Sequence, residues 1–332
     1  MRKISVGLAV LGVAASMTLA ACSGGTAAPA TSGAASGSAT SAEKPYIAII
    51  SKGFQHQFWQ AVKQGAEEQA VKDNVTISFE GPASESEVEA QMNMLSNALQ
   101  KKPAALGFAA LDSKAAAPVL AQYKAAGIPV IAFDSGVDSD IPLTTAATDN
   151  IAAAKEAAKH MCELIGGSGT VGVIVHDQTS KTGQDRRDGF LDGMKTGCTG
   201  AKLLEVQYGG GDQAKSADIA KSMIQANPDI KGIFGANEGS AVGALKGIEE
   251  KGMAGKIVLI GFDSGKAQID AVTSGTMAGA ITQNPVGMGA KTVEAAVKAI
   301  KGETLPTVID TGYMWYDKTN INDPVIKAVL YE

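Results

Sequence analysis

The chain reads as an α/β protein of two similar lobes, each a doubly wound parallel sheet, with a ligand cleft between them. Three observations carry that reading. Short apolar runs alternate with longer amphipathic stretches, which is the rhythm of repeated strand–helix–strand units. The rhythm restarts near Asp149. The tetrapeptide Phe133-Asp134-Ser135-Gly136, after the fourth strand of the first half, returns as Phe262-Asp263-Ser264-Gly265 after the fourth strand counted in the second.

Ahead of the lobes stands an export signal. Arg2 and Lys3 precede an apolar run over residues 4–21 that ends in Leu19-Ala20-Ala21-Cys22. A small residue before a cysteine at the end of such a run marks a lipoprotein cleavage site, so residues 1–21 read as a signal peptide and Cys22 as the lipidated first residue. The run is short for a membrane span. Residues 22–44 follow as a flexible linker, because a stretch of Ser, Gly, Ala and Thr cannot bury enough apolar surface to fold. Stable anchoring at a membrane needs more than one acyl chain on Cys22. The localisation expected is extracytoplasmic, on the outer face of the cytoplasmic membrane.

In the first half, residues 46–50, 75–79, 105–108 and 130–133 read as strands, and 58–71, 87–100 and 115–126 as helices. The helix over 58–71 has a narrow apolar face of Ala61, Val62, Gly65, Ala66 and Gln69. In the second half a helix over 151–165 leads into strands at 171–175, 203–207, 233–235, 258–262 and 278–281, with helices between them. Gly127-Ile128-Pro129 and Gly166-Gly167 punctuate helix ends.

Charge and cysteine content exclude several functions. Without Arg2 and Lys3 the chain carries 27 basic and 34 acidic side chains, a net charge of −7, and has no basic run, which argues against nucleic acid as a partner. With Cys22 lipidated, Cys162 and Cys198 remain as an even pair in an oxidising compartment; a disulfide is expected, the alternative being two buried thiols. His56, His160 and His176 show no ligand spacing with the cysteines, so no metal is expected, nor any cofactor. Gly209-Gly210-Gly211 lacks the Lys-Ser/Thr of a phosphate-binding loop.

Ligands of open α/β sheets bind beyond the carboxyl ends of the strands. Those ends supply Ser51 to Trp59 after the first strand and Asp134-Ser135 after the fourth. In the second half they supply a loop leading to Arg186 and Arg187, then Asn237-Glu238, Asp263 and Gln283-Asn284. Carboxylates, amides and a guanidinium on one rim suit a polyhydroxylated ligand, whose hydroxyls both donate and accept. Aromatics make up only 5% of the chain, so Phe54, Phe58 and Trp59 in one loop are informative: a ring can cover the C–H face of a sugar, and at least one of Phe58 and Trp59 is expected to face the cleft. Asp134 and Asp263 could also be read as the acid and base of a glycosidase. Both, however, have hydrogen-bonding company rather than an apolar pocket to raise one pKa, and no nucleophile motif accompanies His56.

In order along the chain stand Phe58-Trp59 with Val62 to Ala66, Gly127 to Val130 leading into Asp134, and Thr148-Asp149-Asn150. Arg186 before Gly189-Phe190, Ala236-Asn237-Glu238, Gly261-Phe262-Asp263 and Thr282-Gln283 complete the set. With these motifs, from Tyr46 nearly to its end, the chain resembles the periplasmic sugar-binding proteins of the ribose-binding type, which share their fold with lactose-repressor-like ligand domains. The resemblance implies that Phe58 and Trp59 sandwich or cap a ligand, and that Asp134, Arg186, Asn237, Asp263 and Gln283 bond its hydroxyls. His56 stands where ribose binders often place an asparagine. Ser135 replaces the arginine that follows their aspartate, and Ala109 replaces an asparagine after the third strand. Fewer donors on the first lobe point to a different pentose or a small sugar alcohol.

The resemblance further implies a three-crossover hinge, with crossings near Asp149, Asn284 and Gly312. The lobes are then residues 45–148 plus 284–311 and residues 149–283 plus 312–332. It also implies a solute-binding protein that hands its ligand to an ABC permease; the residues themselves read as non-enzymatic, and a monomer suits closure of two lobes. The alternative is a sensor that hands a small molecule to a membrane receptor.

Overall fold

A computed structural model describes residues 43–331. The signal peptide, Cys22 and most of the linker lie outside the described residues. No helix among those described is long and apolar enough to cross a membrane.

The chain enters through β1 (Tyr46–Ile50), α1 (Gln57–Lys72), β2 (Thr76–Glu80), α2 (Val88–Gln100), β3 (Ala105–Phe108), α3 (Ala117–Ala125), β4 (Val130–Phe133) and β5 (Thr144–Ala147). It continues through α4 (Asn150–Leu164), β6 (Ser168–Val175), α5 (Lys181–Gly197), β7 (Gly200–Leu203), β8 (Gln207–Tyr208), α6 (Gln213–Ala226), β9 (Ile230–Gly235), α7 (Glu238–Glu250), β10 (Val258–Phe262), α8 (Lys266–Ser274) and β11 (Gly279–Gln283). It closes with α9 (Pro285–Ile300), β12 (Val308–Asp310), β13 (Tyr313–Asp317) and α10 (Pro324–Lys327).

Two sheets result. The first runs β2-β1-β3-β4-β5-β12, all parallel. The second runs β7-β6-β9-β10-β11-β13, with β8 also on β6, and is parallel except for the antiparallel β11–β13 pair. The strand order is the same in both, so the fold is a pair of doubly wound α/β lobes. The chain leaves the first sheet after β5, returns through α9 to β12, and crosses again to β13.

Each sheet is buried on both faces, as the parallel arrangement requires. Strand β1 shows how alternation divides the work: Ile47 and Ile49 enter the core under α1 and α9, while Ala48 and Ile50 enter the one under α2 and α3. In the second sheet, Val171, Val173 and Val175 face α4 and α5, and Ile174 faces α6 and α7. Helices α1 and α9 touch backbone to backbone. A methyl group at Gly65 would overlap the Val286 carbonyl, and one at Gly289 the Val62 carbonyl. The sequence echo has a backbone counterpart: Asp134 and Asp263 both take positive φ, 53° and 83°. Their N–H groups donate to equivalent carbonyls on the neighbouring strand, Ala146 at 2.9 Å and Ile281 at 2.6 Å.

Three elements depart from expectation. The single strand over 203–207 is two short strands, because between the β7 and β8 pairings three steps on β6 (Val171 to Ile174) oppose four on its partner (Leu203 to Gln207). That extra residue is a bulge. Strand β5 was not foreseen, because Thr144-Thr145-Ala146-Ala147 contains no apolar run. The edge strands β12 and β13 were also missed. Cys162 and Cys198 form a disulfide, tying α4 to the end of α5.

Candidate functional site

The carboxyl ends of both sheets face a common, narrow cavity. Six residues of its wall come from the first lobe: Lys52 after β1, His56, Phe58 and Trp59 at the start of α1, Glu85 between β2 and α2, and Asp134 after β4. Six come from the second: His176 after β6, Thr182 and Arg186 on α5, Asn237 after β9, Asp263 after β10 and Gln283 at the end of β11.

Eight of the nine residues singled out from sequence therefore meet at one wall. Ser135 does not line it. This residue is fully buried beside it, and its Oγ accepts from the Thr182 N–H across the lobes at 3.5 Å. Phe54 also turns away, packing edge-on against Phe79 at 5.8 Å. Phe58 and Trp59 both reach the cavity, set edge-to-face at 4.9 Å. Arg187 points outward to Asp188 and Tyr208.

The second-lobe wall is held rigidly. Arg186 donates from Nε to Asn150 Oδ1 at 2.7 Å and from Nη1 to the Ala236 carbonyl at 3.0 Å, and its guanidinium lies 3.8 Å from the Phe262 ring centre. Its Nη2 finds no acceptor among the described residues. Asp263 accepts from the Glu238 N–H at 2.9 Å and from Gln283 Nε2 at 2.7 Å, with Arg186 Nη1 at 4.0 Å. Gln283 Oε1 is buried and unpartnered. Asn237 caps α7 through Oδ1 and donates from Nδ2 to Glu85 at 3.4 Å.

The first-lobe wall holds residues that sequence reasoning passed over. Glu85 accepts from Trp59 Nε1 at 2.8 Å. Burial alone would raise its pKa, but the Lys52 and His56 side chains and the Trp59 hydrogen bond outweigh burial and hold it at about 2. Lys52 is 2% exposed, and it donates to Thr182 Oγ1 at 3.1 Å. Thr182 Oγ1 also lies 3.2 Å from His176 Nε2. Burial, reinforced by the Lys52 charge, keeps the His176 ring neutral, and its Nδ1 has no partner. Both ring nitrogens of His56 are likewise buried and unpartnered.

Asp134 corrects an expectation. Hydrogen-bonding company was foreseen for both aspartates, yet no donor among the described residues reaches the Asp134 carboxylate. Burial pushes its pKa up to about 6, against the pull of Lys52 and Arg186. Its main chain folds like that of Asp263, but nothing around it replaces Gln283 or the Glu238 N–H.

The comparisons with known proteins agree with this geometry. The family model described as a periplasmic binding protein domain matches residues 47–304. The D-allose-binding periplasmic protein of Escherichia coli is 27% identical over 268 residues, covering 78% of this chain and 86% of that protein. The ribose import binding protein of Escherichia coli is 26% identical over 270 residues, covering 80% and 88%. Among solved structures, an ABC transporter solute-binding protein from Agrobacterium vitis with bound D-fucose is 35% identical. It superposes with a TM-score of 0.84 over 86% of this chain and all of that one. One from Agrobacterium radiobacter in complex with D-arabinose is 31% identical, with a TM-score of 0.84 over 87% of this chain and all of that one. With the family model spanning most of both lobes, the chain belongs to the periplasmic binding protein domain family.

Proposed function

We propose that this protein is the extracytoplasmic solute-binding component of an ABC importer, closing its lobes around one monosaccharide, pentose-like in size, or a small sugar alcohol. One observation carries the reading. The cavity is shared equally between the lobes and is lined by buried polar atoms that lack protein partners, both His56 nitrogens, His176 Nδ1 and Gln283 Oε1, beside an Asp134 carboxylate that no donor among the described residues reaches. Buried polar groups without partners are costly, and a compact molecule bearing several hydroxyls satisfies donors and acceptors together. Phe58 and Trp59 supply the apolar face against which a sugar ring packs. Lys52, Glu85, His176 and Thr182 join the candidate ligand residues. Hinge closure brings both halves of this wall onto the ligand, so binding energy favours the closed form.

The motif around Cys22 supports lipid anchoring, which would hold the lobes beside a permease as a monomer. Substituting Cys22→Ala should release the protein from membranes and remove the acyl mass from its N-terminal peptide. The ligand class is tested by a thermal-shift screen of residues 43–332 against pentoses, hexoses, sugar alcohols and amino acids. A ligand at a hundred times its Kd stabilises by about 2.7 kcal/mol. A clear rise with one small polyhydroxylated compound is expected; no rise with any of them would overturn the reading.

A further inference from the structure

Helices α1 and α8 begin on opposite sides of the cleft, and neither is capped by its own N-cap side chain, His56 or Gly265. Helices α4, α5, α6, α7 and α9 all are, by Asp149, Ser180, Asp212, Asn237 and Asn284. The cap of α1 comes from the other lobe. Glu238, the first residue of α7, accepts from the Gln57 N–H at 3.2 Å and the Phe58 N–H at 3.3 Å. The cap of α8 comes from the other lobe in return, as Gln57 Oε1 accepts from the Lys266 N–H at 2.6 Å.

Gly265 fits between the two side chains because it has none. A Cβ there would lie 3.0 Å from Gln57 Oε1 and 3.0 Å from Glu238 Cδ. Its φ of −64° is open to any residue, so the glycine answers to space, not to backbone conformation. Gln57 stands in the chain between His56 and Phe58, and Glu238 follows Asn237, so each side chain that spans the cleft is bonded to residues of the cavity wall. Neither Gln57 nor Glu238 lines the cavity itself.

We propose that Glu238 and Gln57 form a reciprocal helix-capping latch between the lobes, positioning residues that set affinity for every ligand without touching any. Opening the lobes strips both caps, and closing restores them, with a carboxylate placed at the positive end of α1. The latch thus adds to the closed state a term that is the same whatever fills the cavity. It rests on the proposed closure around a sugar, but it can fail separately.

The test uses Glu238→Ala, Gln57→Ala and Gly265→Ala, the last leaving both latch side chains in place while wedging them apart. Association and dissociation are followed by stopped flow with D-ribose, D-allose, D-arabinose, D-fucose, D-tagatose and xylitol. Each variant should speed dissociation about tenfold, with association within about twofold of wild type, and by the same factor for every compound that binds. Dissociation rates near wild type in all three variants would overturn the latch. So would a factor that changes from sugar to sugar, since it would make these residues ligand contacts. If wild type binds none of the six, the proposed function falls, and the latch is read without ligand by small-angle scattering. A larger radius of gyration in the variants then supports it, and unchanged scattering defeats it.

Discussion

Asp134 and Asp263 hold the same place in two sheets of the same strand order, with the same left-handed backbone, yet their carboxylates live in different surroundings. Asp263 is supplied by the Glu238 N–H and Gln283, with Arg186 beside it. No protein donor reaches Asp134, and burial raises its pKa to about 6. The second lobe therefore supplies its aspartate with protein donors, while the first leaves its aspartate as an open acceptor at the cavity. An aspartate already bonded within the protein fixes where a ligand sits. One without protein donors is completed by the ligand's own hydroxyls.

The sharpest way to break that comparison is Asp263→Ala. It strips Gln283 Nε2 and the Glu238 N–H of their acceptor and leaves Arg186 without its nearest carboxylate. Affinity for the sugar found by screening should fall by about a thousandfold, the sum of a lost charge-assisted contact and disordered neighbours, while the protein stays folded. Calorimetric titration reads the first and circular dichroism the second. Near-wild-type affinity would refute the assignment of this wall as the site.

Asp134→Asn should weaken binding less, by about ten- to a hundredfold, because no protein group loses a partner. Its stability effect runs the other way. An acid whose pKa rises on folding, here from 3.8 to about 6, binds more protons folded than unfolded within that window. Its contribution to stability therefore falls as pH rises from 3.8 through 6. At pH 7.5 the asparagine variant should melt above wild type, by a margin worth about 2–3 kcal/mol, and the gap should close towards pH 4. Glu85 gives the opposite sign. Its pKa is lowered from 4.5 to about 2, so the stability it contributes is present above 4.5 and is lost as pH falls from there towards 2. A Glu85→Gln variant should therefore trail wild type at neutral pH and draw level in strong acid, as thermal melts across pH would show.

Most of this wall was legible because strand ends are legible. An apolar run that stops at Asp134, Asn237, Asp263 or Gln283 marks the rim of a parallel sheet whatever the neighbouring helices do. His176 follows Val175 directly and satisfies the same rule, but was weighed only as a metal ligand. Lys52 sits in the stretch after β1 that was read for its aromatics; a lysine there looks solvated until the far lobe buries it against Thr182. Glu85 had no local signal, since it lies five residues past an edge strand that is only half-buried. Its role appears only when Trp59 and Asn237 come to it from two other elements. The strands missed at 144–147 and 308–310 are short and carry little apolar pattern of their own, so pairing with β4 and β5 makes them. The one at 313–317 has a readable apolar run, Tyr313 to Tyr316, and pairs antiparallel with β11, outside the repeated strand–helix–strand rhythm.

The smallest effect on binding should come from the disulfide, a structural tie of the second lobe alone. Cys162 lies twelve residues along α4 from Asn150, and Cys198 twelve past Arg186 at the end of α5, so the bridge sits roughly 18 Å of helix away from the Asn150–Arg186 hydrogen bond. The two residues are separated by 36 in sequence, so the cross-link removes about 3–4 kcal/mol of chain entropy from the unfolded state. Reduction, or the Cys162→Ser, Cys198→Ser double variant, should lower the melting temperature by about 5–10 °C and leave sugar affinity within about twofold. A large loss of affinity would mean that the α4–α5 pair transmits strain along its length to Arg186. The rigidity assigned to the second-lobe wall would then depend on the bridge, not on Asn150, Ala236 and Phe262 closing around the guanidinium.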